Sequence, residues 1–377
     1  MNTFILTTKI LIGDSLSEVL DSVEKAFIVT DRFMLESGKT DYVISRLDKY
    51  GIQYDTFAEI SSEPDIEVVT AGVAKYTDFG GDTVIALGGG AAIDAAKAIV
   101  YFASKASNSA KPRFVAVPTT SGSGSEVSRF AVITDSKTMV KYPLIDDMLL
   151  PDYAVLDAAL VVSAPASVTA DSGIDVLTHA IEAFVSKNGN DFSEAMAEKA
   201  IKLVKHNLLK AYKNPKDLNA RQGMHNASCL AGIAFSNSGL GINHSLAHAM
   251  GAKFHIPHGR ANGILLPYVM SFNAGCNNSL TDTAEKYARV ARLLNLESSS
   301  IRQSALNMIR VVKKYIGQLN IPPAISSAGI SREQFDEALD EMAEAALADR
   351  CTPTNPVDVS LEDIKGIYQR AFLGKLS

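Results

Sequence analysis

The sequence predicts an α/β domain with a Rossmann-like parallel sheet over residues 1–163, followed by an all-helical domain over 164–377. Three observations carry that expectation. Up to residue 157, short apolar, β-rich runs alternate with helical patterns. Two of those runs end in turns rich in glycine or hydroxyls, and beyond them the strand signal gives way to helical stripes.

Residues 25–30 (KAFIVT) form the first clear strand, ending at Asp31, with a helix around 42–51 beyond it. Residues 53–58 are a weaker strand and 66–79 a helix. Then 83–87 (TVIAL) runs into Gly88, Gly89 and Gly90 and the helical AAIDAAKAIVYFA. Residues 113–117 (RFVAV) run into Pro118, Thr119 and Thr120, and 153–157 (YAVLD) are the last strand. Continuous apolar runs with crossover helices specify strands buried on both faces of a parallel sheet, whose ligands bind at the carboxyl ends of the strands. Downstream, Ile174, Leu177, Ile181 and Phe184 make a helical stripe, and helices follow near 310–318 and 333–347.

Composition narrows the function classes. The chain has 377 residues, 47% of them hydrophobic and 21% charged, with a formal charge of −6 and no basic run. That balance argues against nucleic acid or an anionic membrane as a partner. Cys229, Cys276 and Cys351 are widely separated and odd in number, which fits a reducing compartment. The N-terminal MNTFILTTKILIGDS lacks the pattern of a secretory signal, and no apolar run is long enough to span a bilayer, so a cytoplasmic protein is expected.

The glycine turn after TVIAL suits a nucleotide, because backbone approaches a pyrophosphate closely there and the next helix aims its N-terminal N–H groups at the anion. A tight helix–strand turn has the same composition. Asp31 is placed either to accept hydrogen bonds from a ribose, favouring NAD over NADP, or to cap a helix. The loop TTSGSGS (119–125) is built to hydrogen-bond a cofactor, with a linker as the alternative, and Lys141 is either a cofactor contact or a solvated charge.

Residues 239–259 (GLGINHSLAHAMGAKFHIPHG) hold four of the chain's seven histidines. His244 and His248 stand one helical turn apart, and His258 follows Ile256 and Pro257, which break the helix. Upstream, Asp175 and His179 share a helix face. One carboxylate and three imidazoles suit Fe²⁺, Zn²⁺ or Mn²⁺ rather than Ca²⁺ or Mg²⁺. Spacing alone leaves open whether these segments meet, and a lone DxxxH is also a common polar pair.

DSGIDVLTHAIEAF, GLGINHSLAHAMG and IPHGRAN, with ALGGGAAIDAAK and PTTSGSGSEV, resemble the iron-dependent (group III) alcohol dehydrogenase family, in order along essentially the whole chain. The MNTF start, MHNASCLAGIAFSNSGLGINH and the ALAD segment resemble its propanol dehydrogenases of propanediol-utilisation microcompartments. The resemblance implies a dehydroquinate synthase-like architecture with catalysis in the cleft between the domains. It implies Asp175, His179, His244 and His258 as ligands of Fe²⁺, with Zn²⁺ as the alternative, and His248 as the histidine that moves the proton. NAD(H) would be met by Asp31 at the ribose, by Gly89, Gly90 and Asp94 at the pyrophosphate, and elsewhere by Thr119, Thr120, Ser123 and Lys141. Ala91 departs from the usual GGGS and offers only backbone. His255 lies outside the metal pattern.

The implied reaction interconverts a short-chain aldehyde and its primary alcohol by hydride transfer. Phe130, Phe235 and Cys351 match positions lining the substrate pocket. Relatives acting on lactaldehyde carry Asn at the first of these, so Phe130 favours propanal or acetaldehyde. Cys351 otherwise reads as a small buried hydrophobe. A polyol dehydrogenase or lactaldehyde reductase on the same fold is the alternative, and a non-catalytic NAD-binding scaffold protein the alternative of another class. A homodimer or higher homo-oligomer is expected, with microcompartment shell or enzyme partners implied by the resemblance alone, since no terminal encapsulation peptide stands out.

Overall fold

The computed structural model describes residues 3–61, 64–137, 140–276 and 278–376. The chain divides into two compact units, Ile5–Ser163 and the residues from Ala164 onward, the latter with Phe4 packed 5.5 Å from Phe192.

The first unit contains β1 (Lys9–Ile12), β2 (Lys25–Asp31), α1 (Arg32–Glu36), α2 (Asp41–Tyr50), β3 (Gln53–Ile60), α3 (Ile66–Phe79), β4 (Thr83–Gly88) and α4 (Gly90–Ser107). These are followed by β5 (Arg113–Pro118), β6 (Phe130–Asp135), β7 (Val140–Ile145) and β8 (Tyr153–Leu156). Six strands form one parallel sheet in the order β1-β8-β5-β4-β2-β3. Successive residues alternate between its two faces. Phe27, Val29, Val84, Ala86, Phe114 and Ala116 pack under α3 and α4. Ala26, Ile28, Ile85, Leu87, Val115 and Val117 pack on the other face with Val43 and Leu47 of α2. Burial of each larger side chain contributes about 1.5–3 kcal/mol, which is why these runs show no polar alternation.

The strand order reverses between β2 and β4: β3 extends the sheet on one side, and β5 and β8 on the other. A crevice at such a switch point is where open α/β sheets bind ligands. Asp31 ends β2 and Gly88 ends β4, so the acidic residue and the glycine turn flank it.

Two features exceed the sequence expectation. The segment 9–12 is edge strand β1, paired with β8, and the stretch after the hydroxyl loop is an antiparallel hairpin, β6–β7. Pro143 and Lys141 obscure the strand character of β7, whose outer edge carries no ladder partner among the described residues.

The second unit is helical: α5 (Ala166–Val185), α6 (Asp191–Lys213), α7 (Leu218–Ser238), α8 (Ile242–Phe254), α9 (His258–Asn273), α10 (Asp282–Leu293), α11 (Ile301–Gln318), α12 (Arg332–Ala348) and α13 (Leu361–Leu373). α5 is buried along nearly its whole length and packs against α6, α7 and α9. Glycines set those close approaches: a Cβ on Gly173 would stand 2.1 Å from Leu208 Cδ1, and one on Gly263 3.1 Å from Ile174 Cγ2. No described helix is long and apolar enough to cross a membrane.

Candidate metal centre and nucleotide loop

Three helices bring the candidate ligands together. α5 presents Asp175 and His179 one turn apart, α8 contributes His244, and α9 opens with His258. His244 Nε2 lies 3.8 Å and His258 Nε2 3.6 Å from Asp175 Oδ1, while His179 Nδ1 lies 4.0 Å from Asp175 Oδ2. One donor atom from each residue falls within 4.8 Å of all the others. Donors on a tetrahedral ion at about 2.0–2.1 Å stand about 3.3–3.4 Å apart, so only a small closure of the group is needed to ligate one. His244 Nε2 is buried and has no hydrogen-bond partner among the described residues, at a cost of about 1–3 kcal/mol if nothing occupies its lone pair. Burial first, and the neighbouring histidines next, hold the His244 pKa well below the usual imidazole value, so it stands neutral, the form that ligates. The residues present therefore fit a divalent transition metal.

The supporting contacts are equally specific. A Cβ on Gly259 would stand 2.1 Å from the Asp171 carbonyl oxygen, so only glycine lets the start of α9 press onto α5 and deliver His258. Asn262, one turn after His258, donates through Nδ2 to Asp175 Oδ1 at 2.7 Å, and its Oδ1 accepts from Asn243 Nδ2 at 2.9 Å. Glu182, two turns after Asp175, accepts a hydrogen bond from His244 Nδ1 and another from the Asn243 N–H at 2.7 Å. Burial pushes its carboxyl up to about 8, against the opposing backbone N–H bonds. Sequence reasoning assigned neither residue a role, although Asp175, His179 and Glu182 at i, i+4 and i+7 spell one helix face.

His248 lies at the more open side. Its Nδ1 is 2.8 Å from Asp349 Oδ2, and its ring stacks 5.3 Å from that of His258. Burial would raise the Asp349 pKa, but the hydrogen bond and charge of His248 and the Cys351 N–H bring it down to about 2. Asp349 belongs to the ALAD segment, whose partner role the sequence did not reveal because the two residues are 101 positions apart. Cys351 is buried, and burial followed by the Asp349 and Glu182 charges pushes its thiol pKa well above normal, so it is no thiolate nucleophile. Phe235 is buried with its ring 4.7 Å from that of His179, lining the metal group. His255 is exposed and ends α8 in the left-handed conformation, φ 54°, so the helix stops one residue before Ile256 and Pro257.

In the α/β unit, the glycine turn and the hydroxyl loop are in contact. A Cβ on Gly90 would lie 2.9 Å from Ser123 Cβ, and one on Gly89 3.4 Å from Thr120 Oγ1. The Thr119 N–H donates to the Gly88 carbonyl at 2.9 Å. α4 begins at Gly90 without a side-chain cap, with Ala91 in its first turn, leaving N–H groups directed at the carboxyl edge of the sheet. Asp31 does cap a helix, accepting from the Met34 N–H at 2.9 Å, while its Oδ2 lies 3.5 Å from where a Gly88 Cβ would stand. Asp31 thus caps α1 from a position beside the glycine turn.

Asp94, in the second turn of α4, is hydrogen-bonded within the protein. One oxygen accepts from Ser125 Oγ and the other from the Val132 N–H at 3.0 Å, so the carboxylate braces the hydroxyl loop and β6. Lys97, fully buried, completes the brace by donating to Ser125 Oγ (2.9 Å), Ser128 Oγ (3.0 Å) and the Phe130 carbonyl (2.7 Å). Phe130 opens β6, and Lys141 on β7 pairs with Thr134, which bridges Asp65 just before α3.

Both units match known families. The profile described as iron-containing alcohol dehydrogenase covers residues 7–158, and that of the Fe-containing alcohol dehydrogenase family, C-terminal, covers 169–372. The chain is 40% identical to the 1-propanol dehydrogenase PduQ of Salmonella typhimurium, over 98% of this chain and 99% of that protein. It is 37% identical to the NADPH-dependent butanol dehydrogenase of Clostridium saccharobutylicum, over 99% of each. An aldehyde-alcohol dehydrogenase of Streptococcus pneumoniae is 39% identical over 93% of this chain, which spans less than half (43%) of that protein's length. The crystal structure of a 1,3-propanediol oxidoreductase superposes with a TM-score of 0.91 at 31% identity, over 99% of this chain and 100% of that one.

Proposed function

Since the chain belongs to the iron-containing alcohol dehydrogenase family, we propose that it interconverts a short-chain aldehyde and its primary alcohol, with a divalent metal, Fe²⁺ by family or Zn²⁺, and NAD(H). The observation that carries this reading is the convergence of Asp175, His179, His244 and His258 within 4.8 Å. When bound, the metal supplies Lewis acidity toward the substrate oxygen and the nicotinamide supplies or takes the hydride.

The protein's own residues do the rest. Asp175 and the three imidazoles fix the position of positive charge, and Phe235 supplies an apolar wall that excludes water. His248, held at Nδ1 by Asp349, has Nε2 left as the atom that passes the proton. In the α/β unit, the first turn of α4 donates N–H groups to the cofactor's pyrophosphate, with Thr119, Thr120 and Ser123 adding hydroxyls and Lys141 a positive charge. Asp31 accepts from the ribose, and its carboxylate repels a 2′-phosphate, which favours NAD over the NADPH named for the butanol dehydrogenase relative.

Propanal and acetaldehyde are the favoured substrates, on Phe130 and the likeness to a 1-propanol dehydrogenase. The likeness to a 1,3-propanediol oxidoreductase keeps a diol or hydroxyaldehyde as the second reading. Cytoplasmic residence, self-association and microcompartment partners belong to the same proposal. The test is anaerobic incubation with Fe²⁺ and NADH or NADPH, offering C2 to C4 aldehydes alongside lactaldehyde. NADH oxidation with propanal is expected; none, with metal and cofactor demonstrably bound, refutes the dehydrogenase reading.

A further inference from the structure

We propose that Glu182 is the positioning residue that fixes His244 as an Nε2 donor to the metal and ties the metal group to the first turn of α8. The inference rests on the assignment of His244 as a ligand. Glu182 is 3% exposed and projects from the same face of α5 as Asp175 and His179. Its two oxygens divide the work. Oε1 accepts from the Asn243 N–H at 2.7 Å, and Oε2 accepts from His244 Nδ1.

α8 needs this help because its own N-cap residue is Gly241, which has no side chain to cap with. A Cβ there would stand 2.8 Å from Glu182 Oε1 and 2.9 Å from Asn355 Oδ1, so glycine makes room for both outside caps. Asn355 accepts from the Ile242 N–H at 3.2 Å. The helix start is thus held by two side chains from elsewhere in the chain, and only Glu182 also touches a ligand. Glu182 faces α8 as an acceptor, with Oε1 taken by the Asn243 N–H and Oε2 against the ring, so Nδ1 is the nitrogen placed to donate. A neutral imidazole has one N–H, so Nε2 keeps its lone pair, and that is the buried nitrogen with no hydrogen-bond partner among the described residues. Carboxylate–histidine–metal arrangements of this kind set ring orientation and ligand basicity.

Glu182→Gln separates capping from tautomer selection. The amide oxygen can still accept from Asn243, but its NH₂ group then faces His244 Nδ1 and selects the Nε2–H tautomer, which cannot bind metal. Asn355→Ala does the reverse, weakening the cap while leaving His244 untouched. Anaerobic titration of the apo proteins with Fe²⁺ against a ferrous chelator should show about 10–100-fold weaker binding in Glu182→Gln with an unfolding temperature near wild type. Asn355→Ala should lower that temperature at unchanged Fe²⁺ affinity. Wild-type affinity in a folded Glu182→Gln overturns the proposal. ¹⁵N-histidine NMR of the wild-type apo protein at pH 9, where Glu182 is ionised, decides it independently of any variant: a protonated Nδ1 on His244 is expected, and a protonated Nε2 overturns it. Failure of the wild type to bind Fe²⁺ would instead refute the ligand assignment, and the tautomer measured on that protein would still decide what Glu182 does.

Discussion

Gly259→Ala probes how the metal group is assembled, because it changes no candidate ligand. The added Cβ would sit 2.1 Å from the Asp171 carbonyl oxygen, 2.7 Å from its carbonyl carbon and 3.1 Å from Asp175 Cβ. The first two are backbone atoms in the second turn of α5, so no rotamer change relieves them. Restoring even a 3.4 Å contact to that oxygen requires α5 and the start of α9 to part by about 1.3 Å. His258, the adjacent residue, would move away from Asp175, whereas metal–ligand distances tolerate only about 0.2 Å. Overpacking of this kind costs about 1–3 kcal/mol, a loss of several degrees in unfolding temperature for a unit of this size. Metal content after anaerobic loading and thermal unfolding of the apo form are the assays. Both should fall. A variant that retains wild-type metal affinity and unfolding temperature would refute the argument that this glycine sets the approach of the two helices.

Other residues make separable predictions. His248→Ala should reduce turnover while metal content stays near wild type, since Asp349 rather than the metal group holds that ring; loss of metal would make His248 a ligand. Asp31→Ser keeps a helix-capping side chain but removes the charge, so preference for NAD over NADP should narrow with little change in stability; unchanged discrimination would count against the ribose contact. Glu126, buried beside the hydroxyl loop, has its carboxyl pushed from 4.5 up to about 7, by burial above all. Between those values the folded form keeps a proton that the unfolded chain has released, so its contribution is present in full below pH 4.5 and is lost as pH rises toward 7. The urea-unfolding free energy of wild type minus Glu126→Gln should decline across that window, by at most about 1.4 kcal/mol per pH unit, and a flat difference would contradict it.

The central strands were legible because their runs are apolar on both faces, and the helix 66–79 because its stripe and bounding residues agree. β1 and the β6–β7 hairpin were not. They are short or half-exposed, and β7 carries Lys141 and Pro143, so what makes them strands is pairing with distant residues, Tyr153 opposite Lys9 and Thr134 opposite Lys141. The same division runs through the site. Asp175 and His179 announce themselves by residue type and four-residue spacing, and His244 and His258 by residue type within the histidine-rich stretch. Their partners do not, since an Asn, a Glu and an Asp are common on helices and only the fold shows Asn262 on Asp175, Glu182 on His244 and Asp349 on His248. At Asp94 the fold adds what a motif position cannot show, since its two oxygens accept from Ser125 Oγ and the Val132 N–H and so tie the glycine-turn helix to the hydroxyl loop and β6.

The claim on which the functional reading stands is that Asp175, His179, His244 and His258 together hold one divalent ion. Anaerobic Fe²⁺ titration with elemental analysis, on wild type and on His179→Ala and His258→Ala, tests it most directly. One ion per chain in the wild type, with both variants folded and depleted, is the predicted result. No bound metal in the wild type, or undiminished binding in the variants, would contradict it.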